Sequence, residues 1–212
     1  MPQRMWYNTD WHVLIIRRQG GMDDMLLVLA SASPRRRELL ALTGIPFVID
    51  APEVDETCVL GAGAAVAELS HRKALAAAAW HPGQVVLAAD TLVAIDDAPL
   101  GKPRDEADAF RMLRSLSGRW HQVYTGVCVI SAAGEIFSGV DKTDVRFGDM
   151  SDSAIRAYIR TGEPMDKAGA YALQGAAGLW IEEIRGSSSN VIGLPLTLTR
   201  TLLEKCGLTV LP

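Results

Sequence analysis

Apolar and polar positions alternate along the chain in two rhythms, one typical of strands and one typical of helices. Apolar runs, of the kind buried on both faces of a sheet, occupy residues 26–29, 47–49 and 85–95. Longer segments repeat apolar residues three and four positions apart, as amphipathic helices do. These predicted helices occupy residues 34–43, 64–80, 105–116, 152–159 and 196–206. Strands that alternate with helices predict an α/β fold.

The second half of the chain adds a predicted hairpin and a long loop. Residues 120–131 and 135–147 each predict a strand. Residues 162–175 are rich in glycine and carry Asp, Lys, Tyr and Gln, a composition that suits neither helix nor strand. We expect a loop there, and binding groups concentrate on loops that a scaffold holds in place. A last strand is expected at 179–184, and turns are expected at 96–99, 132–134 and 186–190.

The stretch 29–40 joins the first strand to the first helix through small hydroxyl residues. Ser33 is a favourable N-cap and Pro34 suits the first helical position, while Gly44 ends the helix. Its apolar face is expected to consist of Leu39, Leu40 and Leu42. Backbone N–H groups at such a junction point outward beside the positive end of the helix dipole, which makes an anion site.

Three consecutive arginines, Arg35-Arg36-Arg37, follow this junction. A planar guanidinium grips phosphate bidentately. Arginines in a first turn add positive charge to a helix end that is already positive. A bound polyanion therefore explains them better than a solvated surface does.

Two further segments carry charge that either structure or function could explain. Lys73 shares a helical stripe with Val66 and Leu69, so it points inward and either extends its ammonium to solvent or binds an anion. The acidic loop 53–57 is either solvated surface or a source of metal ligands. Spacing alone does not decide either question.

Asp90 and Thr91 interrupt the apolar run 85–95. A carboxylate inside such a run costs several kcal/mol unless it is paired or bound to a metal. A buried aspartate held by backbone N–H groups is one explanation. We favour function, because interruptions of this sort commonly mark the functional floor of an α/β sheet. The loop 101–104 then brings further cations.

Composition narrows the class of protein. The chain has 212 residues, 49% of them hydrophobic, and a formal net charge of −4. That length fits one α/β domain whose core needs no covalent staples. Net acidity argues against nucleic-acid binding, and no apolar stretch is long enough to span a membrane. Cys58, Cys128 and Cys206 lie far apart without metal-type spacing, which indicates reduced thiols and a cytoplasmic protein.

Residues 1–24 differ from the rest in mixing tryptophan, arginine and glycine. Their apolar part, 13–16, is too short for a signal-peptide core and lacks a small-residue cleavage site. We expect a disordered extension at 1–24 and a single bilobed domain at 25–212. The four histidines are scattered without metal spacing, and we interpret them as ordinary surface or core residues.

Several motifs occur in one order between Met25 and Cys206. They are Ser31-Ala32-Ser33-Pro34-Arg35-Arg36, Ala89-Asp90-Thr91, Gly101-Lys102-Pro103-Arg104, Ser117-Gly118 with Thr125-Gly126-Val127, Asp166-Lys167-Ala168-Gly169-Ala170-Tyr171 and Asn190-Val191-Ile192-Gly193-Leu194-Pro195-Leu196. Together they resemble the Maf family of nucleoside triphosphate pyrophosphatases. Chance does not explain the co-occurrence of so many motifs.

The resemblance implies a fold and an activity. The fold is an elongated mixed β-sheet flanked by helices, with two lobes and a central cleft. The activity is hydrolysis of a nucleoside triphosphate between the α and β phosphorus atoms, which gives the monophosphate and pyrophosphate, with Mg²⁺ or Mn²⁺ as cofactor. The resemblance also implies a homodimer.

The resemblance further implies roles for individual residues. Asp90 matches the family's proposed proton acceptor, and Glu56 matches an acidic position grouped with it at the catalytic metal. The positions that match phosphate-binding cations are Arg35, Arg36, Lys73 and Lys102, and Ser31 and Ser33 fall in the phosphate loop. The positions that match substrate-specificity contacts are Arg35, Thr91 and Gln174.

The substrate branch is also implied by resemblance. The motif that begins with Asp166 and Lys167, followed by Gln174, resembles the branch acting on dTTP and UTP. The 7-methyl-GTP branch has an acidic residue near the position of Gln174. Ala172 departs from the family pattern, because relatives often have glycine there.

Alternatives to this branch remain open. One is a 7-methyl-GTP pyrophosphatase, or a broad activity that removes modified nucleotides, modified pyrimidines included. Another is a nucleotide-binding regulator of cell division without turnover. Such a regulator would need the cations but not both Glu56 and Asp90, so the presence of both carboxylates favours an enzyme.

Overall fold

The structure, a computed structural model, describes residues 26–211. The extension expected at 1–24 lies outside the described residues, and the division into 1–24 and 25–212 stays a prediction. The described chain forms one mixed sheet with helices packed against it, as the sequence predicted. The strands are β1 (Leu27–Leu29), β2 (Phe47–Ile49), β3 (Val85–Ile95), β4 (Ala98–Leu100), β5 (Trp120–Ile130), β6 (Ile136–Phe147) and β7 (Ile181–Arg185).

The α-helices of the described chain are α1 (Pro34–Ala41), α2 (Ala62–Ala78), α3 (Glu106–Leu116), α4 (Asp152–Ile159), α5 (Ser188–Ile192) and α6 (Leu196–Lys205). Five of these six helices lie where the apolar periodicity predicted helices, and α5 does not. Along the sheet the strand order is β2-β1-β3-β5-β6-β7, and β4 pairs with β3 off this path. Within the described range, no helix is both long and apolar enough to cross a membrane. All three cysteines are free thiols, as predicted.

β3 changes neighbours halfway along one of its edges. Its first part, Val85–Leu87, pairs in parallel with β1, and its last part, Val93–Ile95, pairs antiparallel with β4. Residues 88–92 have no strand on this edge within the described chain, although β5 pairs along the other edge. Asp90 and Thr91 therefore lie at an opening in the sheet, the kind of place where α/β folds bind ligands.

Two large hydrophobic clusters lie on either side of this opening. One includes Leu40, Leu87 and Leu203, and the other includes Val93 and Phe147. β3 contributes its first half to the cluster with Leu40 and its second half to the cluster with Phe147, and the antiparallel β5 contributes to the same two clusters in the reverse order. The two clusters form the two lobes, and continuous strands join them beneath the cleft.

α2 approaches the sheet closely at the level of the opening. Gly126 on β5 is the cross-strand partner of Asp90. A Cβ at Gly126 would lie only 2.2 Å from the carbonyl oxygen of Val66 in α2. Only a residue without a side chain permits this approach, and it allows the helix to place Lys73 directly against Asp90.

Several local expectations were wrong. Leu42 is 61% exposed rather than part of an apolar face, because α1 ends at Ala41 and Leu42 is its C-cap. Residues 98–100 form β4 rather than part of a turn. Asp96 and Asp97 adopt φ values of 51° and 61°, and such left-handed residues make the tight turn that returns the chain along β3.

The last expected strand and the turn after it also differ. β7 begins at Ile181, and Leu179 lies before it in a short 3₁₀ turn with 81% of its surface exposed. Residues 188–192 form the short helix α5 instead of a polar turn. Ser187 starts this helix, because its side chain accepts a hydrogen bond from the backbone N–H of Asn190.

Candidate active site

A cleft of about 940 Å³ lies at the opening in the sheet. Every residue that the family resemblance assigned to catalysis, phosphate binding or substrate choice lines it. These residues are Ser31, Ser33, Arg35, Arg36, Glu56, Lys73, Asp90, Thr91, Lys102, Asp166, Lys167 and Gln174. Arg37 and Arg104, expected from the charge pattern, do not line it. The fold thus brings together side chains from segments far apart in the chain, while the roles assigned to them stay predictions.

Lys73 on α2 links two carboxylates. Its Nζ lies 2.6 Å from Asp90 Oδ1 and 2.7 Å from Glu56 Oε1. The side chains of Lys73 and Asp90 are only 13% and 11% exposed, whereas that of Glu56 is 60% exposed. The hydrogen bond from Lys73 lowers the pKa of Glu56, which keeps this carboxylate ionised near neutral pH. Lys73 therefore binds anionic groups inside the cleft rather than extending to solvent.

Arg72, the residue before Lys73, holds the loop that carries Glu56. Its Nη1 donates to the carbonyl oxygens of Asp55 and Thr57, each at 3.1 Å, on either side of Glu56. Its Nε donates to Glu68 one turn earlier at 2.7 Å. Two consecutive residues of α2 therefore hold this loop. Arg72 binds the backbone of the loop, and Lys73 binds the carboxylate of Glu56.

Arg36 is engaged mainly by the protein itself. Its Nε donates to the carbonyl of Gly193 at 2.9 Å, and Nη1 and Nη2 donate at 3.1 Å to Ser31 Oγ and Thr91 Oγ1. Burial lowers the pKa of Arg36, although Asp90 acts to raise it. A guanidinium has five N–H donors, so at most two of them remain for a phosphate. Arg36 therefore braces the phosphate loop with three of its donors, and its contact with phosphate through the other two stays a prediction.

The brace continues into the sheet and towards α5. Thr91 Oγ1 lies 3.0 Å from Thr125 Oγ1 on β5, which donates to the backbone carbonyl of Asn190 at 3.0 Å. Asn190 is fully buried, and its Nδ2 donates to Thr143 Oγ1 and the Val123 carbonyl. This chain of hydrogen bonds joins β3, β5 and α5, and it fixes Thr91 relative to Arg36.

The opposite wall of the cleft is formed by residues 166–168 and 171–174, which lie in and between short 3₁₀ turns rather than long elements. These turns are Glu163–Asp166, Ala168–Ala170 and Ala176–Trp180. Asp166 and Lys167 form an ion pair with each other. The backbone N–H of Gly169 donates to the carbonyl of Gly101 at 3.0 Å, which ties this wall to the loop carrying Lys102. Gln174 is exposed and lines the cleft.

The donor set can be compared with what a divalent cation requires. Within the described chain, no cluster of three or more His, Cys, Asp or Glu side chains could hold a metal alone. Asp90 and Glu56 nevertheless converge on one cationic position, at present filled by the Lys73 ammonium. Mg²⁺ at nucleotide sites typically binds one or two carboxylates and completes its shell with water and substrate phosphates. The two carboxylates therefore fit a cation shared with substrate.

Sequence reasoning missed several residues that shape the site. Arg72 gave no signal beyond its place beside Lys73. Thr125 and Gly193 stood in noted motifs without an assigned role, and hydrogen bonding to Arg36 or Thr91 now explains them. Arg104, part of the expected cationic loop, instead pairs with Asp108 at 3.3 Å and its side chain is 83% exposed.

The fold resembles a solved structure of a protein with little sequence similarity. The Staphylococcus aureus Ham1 protein superposes with a TM-score of 0.52 at 15% identity, covering 85% of this chain and 98% of that protein. An open mixed sheet with a cleft between lobes thus defines the structural class.

Sequence comparison identifies the family within that class. A family profile described as Maf-like protein matches residues 26–206. A Myxococcus xanthus protein named dTTP/UTP pyrophosphatase is 51% identical over 188 residues, which cover 88% of this chain and 95% of that protein. A Deinococcus radiodurans protein of the same name is 47% identical over 184 residues, with coverage of 86% and 94%. The chain belongs to the Maf family, as its motifs predicted.

Proposed function

We propose that this protein is a dTTP/UTP pyrophosphatase that hydrolyses these nucleotides to the monophosphate and pyrophosphate. The observation that carries the proposal is the contact of Lys73 with both Asp90 and Glu56 inside a cleft lined by further cations. The names of relatives at about 50% identity support the choice of substrate.

The chemistry of the cleft suits hydrolysis of a triphosphate. A triphosphate brings several negative charges, and more charge develops on pyrophosphate as it leaves. Arg35, Lys73 and Lys102 supply cations that can neutralise it. Asp90 accepts the proton of the attacking water. Lys73 contacts its Oδ1 and holds this carboxylate in place.

We further propose that Asp90 and Glu56 hold a divalent cation, Mg²⁺ or Mn²⁺, together with substrate phosphates. Such an ion supplies charge neutralisation at the phosphates. Glu56 suits this role because its pKa is lowered by Lys73 and its side chain is accessible from the cleft. Chelation with EDTA should abolish pyrophosphate release, and added Mg²⁺ or Mn²⁺ should restore it.

The test of function is pyrophosphate release from dTTP, UTP, CTP, 7-methyl-GTP and modified pyrimidine nucleotides. We expect turnover of dTTP and UTP above the others. Asp90→Asn should reduce kcat by about 10²–10⁴-fold, because the amide cannot accept the proton of water. Nucleotide binding, measured by calorimetry, should be largely retained. Near-normal turnover by this variant would remove Asp90 from the mechanism, and a preference for 7-methyl-GTP would reassign the branch.

The choice of base is proposed to involve Gln174. An amide side chain can both donate to and accept from the polar edge of a thymine or uracil. Gln174→Glu removes the donor and adds a negative charge, so the preference for dTTP and UTP over CTP should fall about tenfold. Because Gln174 is exposed, thermal stability should change little. An unchanged substrate profile would argue against this assignment.

The homodimer implied by the family resemblance also stays a proposal, as does a cytoplasmic location. Light scattering of the full chain at two concentrations would measure the molar mass in solution. A mass of one chain at both concentrations would contradict the dimer.

A further inference from the structure

The segment 172–176, which carries Gln174, is held at both ends by two side chains outside the cleft. The backbone N–H of Ala172 donates to Tyr158 Oη at 3.3 Å, and that of Ala176 donates to Glu163 Oε2 at 3.1 Å. Tyr158 Oη in turn donates to Glu163 Oε1 at 2.6 Å. The two side chains therefore form one clamp with a backbone contact on each side of Gln174.

Glu163 also lies directly against the backbone between these contacts. A Cβ at Gly175 would lie 2.0 Å from Glu163 Oε1 and 2.5 Å from Oε2. Glycine is the residue that leaves room for this carboxylate. The segment is thus shaped around Glu163 as well as bonded to it.

Tyr158 gives the clamp a rigid base. It lies on α4, is 2% exposed and belongs to the hydrophobic cluster that contains Phe147 and Ile155. Burial and the neighbouring Glu163 both raise its pKa, so the phenol stays protonated and can donate at working pH. Neither Tyr158 nor Glu163 lines the cleft.

We propose that Tyr158 and Glu163 are positioning residues for base discrimination, acting through the Gln174 segment. This inference rests on the proposed function, in which Gln174 contacts the base. Hydrogen-bond discrimination depends on a polar group held within about 0.5 Å of its productive place. The segment lies between two 3₁₀ turns and has no helix or strand of its own to supply such precision, so these side chains supply it.

The test is Tyr158→Phe, which removes the hydroxyl and keeps the buried ring. The kcat/KM for dTTP relative to CTP should fall about fivefold, mainly through a higher KM for dTTP, with kcat at saturation changed less than about twofold. Tyr124→Phe, a tyrosine on β5 that does not line the cleft, is the matched control and should leave the ratio unchanged.

Combining Tyr158→Phe with Gln174→Ala tests whether Tyr158 acts through Gln174 or by loosening the fold in general. In Gln174→Ala, the kcat/KM for dTTP relative to CTP should already be reduced. Adding Tyr158→Phe should reduce this ratio no further. Glu163→Gln provides an independent variant, because its amide keeps one acceptor and loses the other. It should lower the ratio in the same direction.

The outcomes are distinguishable. The inference is overturned if Gln174→Ala changes the ratio while Tyr158→Phe and Glu163→Gln do not. It is also overturned if the effects of Tyr158→Phe and Gln174→Ala simply multiply, since that would mean independent action. Failure of the proposed function looks different, because the wild-type protein would then release no pyrophosphate from dTTP, and the inference would fall with it.

Discussion

On one wall of the cleft, Lys73 and Asp90 project from a 17-residue helix and an 11-residue strand. On the other wall, Lys167 and Gln174 lie among 3₁₀ turns of three to five residues. The first wall is held by the sheet ladder and by helix packing across Gly126. The second is held by individual bonds, such as those of Tyr158 and Glu163 to backbone N–H groups.

This difference matches what each wall is proposed to do. Charge neutralisation and proton transfer require groups fixed at short distances in a water-poor place, and long elements provide that rigidity. Base selection has to vary between members of one fold family, and a segment held by a few side chains can change without disturbing the core. If so, variants of the first wall should affect catalysis and stability, while variants of the second should affect selectivity.

Among the cations of the first wall, the largest effect is expected from Lys73→Met. This change removes the cation between Asp90 and Glu56, so the two carboxylates face each other unpaired and the phosphates lose a partner. We expect kcat/KM for dTTP to fall about 10²–10³-fold. Steady-state pyrophosphate release measures it. Lys205→Met, at the end of α6, is the control and should stay within about twofold of wild type. A loss of less than tenfold for Lys73→Met would contradict the central place of this lysine.

A smaller effect is expected where α2 meets the sheet. In Gly126→Ala, the new Cβ would collide with the Val66 carbonyl at 2.2 Å, and backbone yields less readily than a side chain. We expect a loss of about 3 kcal/mol in the free energy of unfolding, measured with urea. Activity should fall too, because a displaced α2 moves Lys73 away from Asp90.

Gly63→Ala is the matched control for that variant. Gly63 lies inside α2, and a Cβ there would make ordinary contacts of 3.6 Å with the Tyr124 ring. Alanine favours helix over glycine by about 1 kcal/mol, so this variant should be slightly more stable than wild type. Equal destabilisation by both variants would argue that close helix–sheet approach is not what Gly126 provides.

The two walls also differ in how far sequence could predict them. The position of Asp90 follows from a long apolar run typical of a buried strand, and that of Lys73 follows from the 3.6-residue period of an apolar helical stripe. Periodicity therefore predicted that both side chains lie on buried faces, whereas their contact is shown only by the fold. The path of residues 162–180 has no period, because it depends on single bonds such as Tyr158 to Ala172 that join distant positions. Motif resemblance named Gln174, but nothing in the sequence indicated what holds it.

Arg36 shows a similar limit on the first wall. The run of arginines predicted phosphate binding, and Arg36 does line the cleft. Its bonds to Gly193, at the end of α5, and to Thr91, on β3, depend on how α1 packs against elements far from it in sequence. A local sequence pattern can thus predict that a charged side chain lies in the site without predicting which groups it binds.

The smallest effect concerns acid, and it acts on the lobe that carries the second wall. His121 is fully buried, packs edge-on against Phe147 and Tyr171 and bonds through Nε2 to Tyr171 Oη at 2.8 Å. Burial lowers its pKa from 6.5 to about 4, against the opposing influence of Asp144. The unfolded chain therefore takes up a proton before the folded one does. This contribution to stability is complete above pH 6.5 and is lost as the pH falls towards 4.

At pH 5.5 the loss should be about 1 kcal/mol relative to pH 7.5, measured as the free energy of unfolding in urea. Carboxylates titrate in the lower part of the same range, so the informative quantity is the difference between wild type and His121→Gln. The variant cannot take up this proton, and its stability should fall less steeply between pH 6.5 and 5. Because Tyr171 directly follows the Ala168–Ala170 turn, acid should also lower the preference for dTTP over CTP before it lowers kcat. If the free energy of unfolding of wild type and of His121→Gln fell equally with pH, protonation of His121 would not be what destabilises this lobe.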